Sequence, residues 1–97
     1  METYVIMRRN GWQTAGAVKE AVARAIAEGE SMSDDVVLIR SYVLDEHDGS
    51  VGTVCFYQAT SPEAIRRHAR AASLPVDEIR KVADSVVVRP DPAAVTA

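Results

Sequence analysis

The amino-acid sequence predicts an α+β fold of the ferredoxin-like kind, in the order strand, helix, strand, strand, helix, strand. Three observations lead there. Two windows repeat apolar residues at helical spacing, four β-rich runs surround them, and an Asp-Gly turn joins the middle two runs. This order is the split βαβ pattern. Right-handed crossovers then give a four-stranded antiparallel sheet with two helices on one face.

The first strand is read over residues 3–9. Tyr4, Val5, Ile6 and Met7 are strand formers, and Asn10-Gly11 marks a turn. Residues 14–29 change period. Val18, Val22, Ala25, Ile26 and Gly29 form one helical stripe, Thr14 suits the N-cap and Gly29 the C-terminal end. The second strand spans about 36–44, and the third runs from Val51 to Gln58. Ser61-Pro62-Glu63 opens the second helix with a cap, a proline at the first helical position and a carboxylate at the positive end. Its inward stripe is Ile65, His68, Ala69 and Ala72, and Leu74-Pro75 ends it. A fourth strand is expected over 79–89. Residues 1–90 are expected to form a single domain, with 91–97 as a loose tail.

The 97 residues fit one domain with a modest core. A net charge of −3 argues against a broad attraction to nucleic acid or anionic lipid. No apolar run approaches a membrane span, and the N-terminus lacks a signal-peptide pattern. The single cysteine, Cys55, rules out an intrachain disulfide and suggests a reducing, cytoplasmic setting.

If Asp48 and Gly49 are the two turn residues, Cys55 lies opposite Tyr42, Tyr57 opposite Arg40, Ser41 opposite Phe56 and Val43 opposite Val54. Ile39, Val43, Val54 and Phe56 would then face the helices. Leu38, Arg40, Tyr42, Leu44, Thr53, Cys55 and Tyr57 would line the bare face. A bare apolar sheet face is commonly covered by a second copy, so a homodimer through that face is expected.

Several side chains have both an ordinary and a chemical reading. Cys55 is a small buried hydrophobe or a metal-ligating thiolate. His68, on the buried stripe of the second helix, is a hydrogen-bonded core residue or an imidazole ligand suited to nickel, copper or zinc. On the register above, Cys55 and His68 of one chain would not share a site. His47 sits in an acidic turn and reads as solvated loop or an adventitious surface metal site. Tyr42 and Tyr57 pack as aromatics or donate phenols in a pocket. Arg40 clamps an anion or pairs with a carboxylate across a dimer interface. Arg66, Arg67 and Arg70, with Glu63 one turn before Arg67, read as a solvated face. No catalytic triad, phosphate loop or CxxC site is present in the sequence.

Ile39-Arg40-Ser41-Tyr42-Val43, Asp48 to Cys55, Ser61 to Arg66 and Leu74-Pro75-Val76-Asp77 carry a resemblance. With them the chain resembles a family of small bacterial proteins, a domain of unknown function described as nickel-binding protein. The resemblance covers nearly the whole chain. It implies a dimeric ferredoxin-like α/β fold and nickel as ligand. By matching position it implies Tyr42, Cys55 and His68 as metal ligands. The expected function is a small dimeric protein that binds or sequesters nickel(II) without catalysis. The alternative is a cofactor-free oxygenase or cyclase of the dimeric α/β-barrel class. That alternative rests on fold analogy, with a pocket of Tyr42, Tyr57 and Arg40. A plain assembly module is the third reading.

Overall fold

Two side-chain caps start the helices. Thr14 Oγ1 accepts the Ala17 N–H at 3.1 Å and Ser61 Oγ accepts the Ala64 N–H at 3.2 Å. In this computed structural model, which describes residues 1–92, they begin α1 (Ala15–Glu30) and α2 (Pro62–Ala71). The strands are β1 (Glu2–Trp12), β2 (Val36–Asp45), β3 (Val51–Ala59) and β4 (Glu78–Lys81). They form one antiparallel sheet in the order β2-β3-β1-β4. The fold is ferredoxin-like α+β. The expected tail falls mainly on residues 93–97, outside the described residues.

Side chains alternate along each strand. Tyr4, Ile6 and Arg8 of β1 and Thr53, Cys55, Tyr57 and Ala59 of β3 are buried on the helix side. Val36 joins them from β2, and Ala64, Ile65, His68 and Ala69 close the layer from α2. The expected inward stripe of α2 is buried throughout. That of α1 is rotated: Val18, Ala21 and Ala25 are buried, while Ile26 is 55% exposed.

The β2–β3 register differs from the expected one by one residue. Asp45 pairs with Val51, so the hairpin loop is the five residues 46–50. Glu46 N–H donates to the Ser50 carbonyl at 3.0 Å, and Gly49 takes φ +86° inside this larger loop. Cys55 therefore pairs with Ser41, Val54 with Tyr42 and Phe56 with Arg40. Because side chains alternate, the slip moves the β3 residues to the opposite face, while β2 keeps Arg40 and Tyr42 on the open face as expected. Thr53, Cys55 and Tyr57 face the helices, and Tyr42 and Phe56 face away. Ile39 and Val43 are not core; they are 54% and 48% exposed. Ile39 is the extra residue of a bulge between Leu38 and Arg40.

The fourth strand is also shorter than expected. Val82 N–H reaches the Thr3 carbonyl at 2.8 Å, but β1 begins at Glu2. The β1–β4 ladder ends at Tyr4 and Lys81. Val86, Val87 and Val88 are 77–87% exposed despite their strand propensity.

The hairpin end is tied down by charge. Arg9 Nε and Nη2 donate to Glu46 at 3.1–3.2 Å, and Asn10 N–H donates to Glu46 Oε2 at 2.7 Å. These contacts, the Arg9 hydrogen bond first, hold the Glu46 carboxyl below its ordinary range. The Ser50 hydroxyl and N–H do the same for Asp48. A carboxyl depressed by folding stabilises the fold above its unfolded pKa and loses that contribution as pH falls through its folded pKa. The hairpin end is therefore expected to loosen on acidification below about pH 4. A carboxyl-carbon NMR titration should place both midpoints below those of unstructured peptides, roughly 4.3 for Glu and 3.9 for Asp. Midpoints at those peptide values would show that the loop contacts do not form in solution.

Candidate functional site

Arg8 is in phase with Tyr4 and Ile6, so β1 carries a guanidinium into the layer beneath the helices. The residue is 1% exposed. Its Nε donates to the Pro75 carbonyl at 2.6 Å, and its Nη1 donates to Cys55 Sγ at 3.3 Å. Ser41 Oγ donates to the same sulfur at 3.1 Å. Among the described residues, no carboxylate lies within ion-pair distance of Arg8. A buried cation without a counter-charge costs several kcal/mol or more.

Beside this guanidinium is a cavity of about 20 Å³ between α1 and the sheet. Its polar lining comes from Arg8, Ser41, Thr53, Cys55 and Tyr57, and Trp12, Val22, Leu38 and Leu74 are among its apolar walls. Arg8 Nη2 and Thr53 Oγ1 are buried without a hydrogen-bond partner. Burial pushes the Tyr57 phenol above its ordinary pKa, partly offset by the positive Arg8. Tyr57 is neutral across the physiological range.

His68 lies elsewhere in the same layer. Its Nε2 is 2.8 Å from the Ala25 carbonyl of α1. A carbonyl only accepts, so Nε2 carries the proton and ties α2 to α1. Tyr57 meets the imidazole edge to face, with ring centroids 5.8 Å apart. Tyr42 is on the opposite face of the sheet, 44% exposed and edge-on to Phe56 at 6.0 Å. Its hydroxyl donates to Asp91 Oδ2 at 2.7 Å, and Arg40 pairs with the same carboxylate. Arg40 is thus engaged within its own chain, not beside Tyr57.

The chain matches a family model over residues 4–82, and the family is described as nickel responsive protein SCO4226-like. The chain belongs to this family. Two solved structures share its fold. The crystal structure of SCO4226 from Streptomyces coelicolor A3(2) has a TM-score of 0.69 at 20% identity, covering 87% of this chain and 99% of that one. The solution structure of the C-terminal domain of the MgtC protein from Mycobacterium tuberculosis has a TM-score of 0.56 at 14% identity, covering 84% and 86%. A search of curated proteins returned no match. As a member of the SCO4226-like family the chain is tied by name to nickel, which makes the fit of its donors a question of geometry.

Within one chain the donors do not fit a nickel ion. Tyr42 is separated from Cys55 and His68 by the sheet. Cys55 Sγ faces a guanidinium, which repels a divalent cation; His68 Nε2 is committed to Ala25, and its Nδ1, though without a hydrogen-bond partner, is buried. Among the described residues, no group of three His, Cys, Asp or Glu is placed to hold a metal. Among the same residues, no helix is long and apolar enough to cross a membrane.

Reading the sequence missed Arg8, Ser41 and Thr53 as site residues. A signal for Arg8 was available, because it follows Tyr4 and Ile6 at spacing two. The involvement of Ser41 and Thr53 follows from the hairpin register, which the turn alone did not settle.

Proposed function

We propose that the protein is a nickel(II)-binding homodimer without catalytic activity, with the metal held between two copies at the open face of the sheet. The observation that carries this reading is Tyr42. Of the three ligands implied by family resemblance, it alone is exposed, and its hydroxyl already sits on the Asp91 carboxylate. Two-fold pairing of identical faces sets residue i of one copy against residue j of the other and j against i, so a residue near the axis meets its own copy, which is where Tyr42 and Asp91 must lie. Two half-sites, each too poor in donors to hold a metal, then become one. Phe56 and the exposed Ile39, with Val86 to Val88 beyond the sheet, supply apolar surface for such pairing. A buried lone thiol suits work in the reducing cytoplasm.

Equilibrium dialysis of the tag-free protein against nickel(II), with metal quantified per chain, tests the reading. Light scattering on the same samples gives the mass. Wild type should be a dimer and take up nickel, Tyr42→Phe should take up less, and Cys55→Ser should match wild type. No uptake by wild type, full uptake by Tyr42→Phe, or a loss confined to Cys55→Ser would each overturn it.

A further inference from the structure

We infer that the cavity beside Arg8 is a binding site for a short aliphatic monocarboxylate, with Arg8 and Thr53 holding the carboxylate. This site is independent of the nickel reading and lies on the other side of the sheet from Tyr42.

Four observations point the same way. Arg8 is fully buried and lacks a carboxylate partner among the described residues. The Cys55 sulfur is a weak acceptor and occupies only Nη1. Nη2 and the Thr53 hydroxyl are both buried and both unpartnered, and Arg8 and Thr53 both line the cavity. Two orphaned donors on residues of one cavity call for one acceptor group, and the guanidinium calls for a negative one. A carboxylate meets both needs with charge-assisted hydrogen bonds.

The walls define the rest of the ligand. The enclosed space, about 20 Å³, holds one water or the oxygen end of a carboxylate. The remaining lining toward α1 and the Leu74 turn is apolar, formed by Trp12, Val22, Leu38 and Leu74. Trp12, Leu38 and Leu74 are half-buried, so the cavity reaches the surface through them. A short hydrocarbon tail would have to lie outside this enclosed space, along these half-buried side chains. A dicarboxylate or a phosphate ester would bring a second charge against apolar walls with nothing to pair it.

Trp12 is the only tryptophan and lines the cavity, so its fluorescence reports occupancy. The intact protein is titrated with sodium butyrate at constant ionic strength, with butyramide and sodium chloride as controls. A ¹⁵N spectrum follows the Arg8 Nε–H signal. Butyrate should give a saturable change in Trp12 emission and move the Arg8 signal, while butyramide and chloride do neither. Arg8→Met should abolish the response. Thr53→Val, which keeps the shape and folds even if Arg8→Met does not, should weaken binding roughly tenfold. No saturable response to butyrate, an equal response to butyramide or chloride, or a response unchanged by Thr53→Val would overturn the assignment. Nickel dialysis of the same variants separates the two proposals, because Thr53→Val should leave nickel uptake intact.

Discussion

Gly52→Ala is expected to lower the thermal midpoint by roughly 12 °C or more, the equivalent of about 3 kcal/mol in a domain of this size. Gly52 is a buried position of β3, where the β1 register shifts between Arg8 and Trp12. A Cβ there would lie 2.5 Å from the Arg8 carbonyl oxygen, 3.1 Å from Glu46 Oε2 and 3.4 Å from Arg9 Cα. The Glu46 carboxylate can swing away. The Arg8 carbonyl is backbone in the neighbouring strand and cannot. Relief requires β1 and β3 to separate just where Arg8 enters the core, so the substitution should also disturb the Trp12 environment. Thermal melts followed by far-ultraviolet circular dichroism test this. A midpoint within a few degrees of wild type would mean that the Arg8 carbonyl stands well clear of a Cβ at position 52.

Tyr57→Ala should cost about 3–5 kcal/mol, a large share of the roughly 5–15 kcal/mol that stabilises a domain. Tyr57 is 1% exposed at the centre of β3, flanked by β1 and β2. It pairs with Tyr4 and Leu38, meets the His68 ring, and walls the Arg8 cavity. Truncation leaves a void that strands on both sides prevent from collapsing. Tyr57→Phe keeps the ring and should stay near wild-type stability. Urea unfolding with an unchanged m-value would read the difference cleanly. A Tyr57→Ala loss under 1 kcal/mol would show that the layer repacks and that His68 does not depend on this ring.

The two faces of the sheet divide the chemistry. One face buries a cation, a thiol and an imidazole beneath the helices, and the other leaves Tyr42, Arg40 and Asp91 open. The proposed metal site on the open face and the proposed small-anion site beneath the helices would therefore not compete for the same residues. The strands between them are where one site would influence the other. Arg40 and Tyr42 flank Ser41 on β2, and Ser41 bonds Cys55 on the helix side.

The order of elements was legible from local signals. Thr14 and Ser61 cap the helices as their side chains predict, and the Ile65, His68, Ala69, Ala72 stripe is buried as its period requires. Capping, periodicity and strand propensity act within a few residues, so they can be read along the chain. Which face each strand residue occupies was decided by tertiary structure. A five-residue loop in place of a two-residue turn moved the register by one and put Thr53, Cys55 and Tyr57 of β3 on the helix face instead of the open one. The length of β4 depended on its ladder with β1, far away in sequence, which ends at Tyr4 and Lys81. The burial of Arg8 against Cys55 joins residues 47 apart and follows from the pairing of β1 with β3. Pairing depends on backbone partners across the sheet, and no local pattern in either strand encodes where its partner starts.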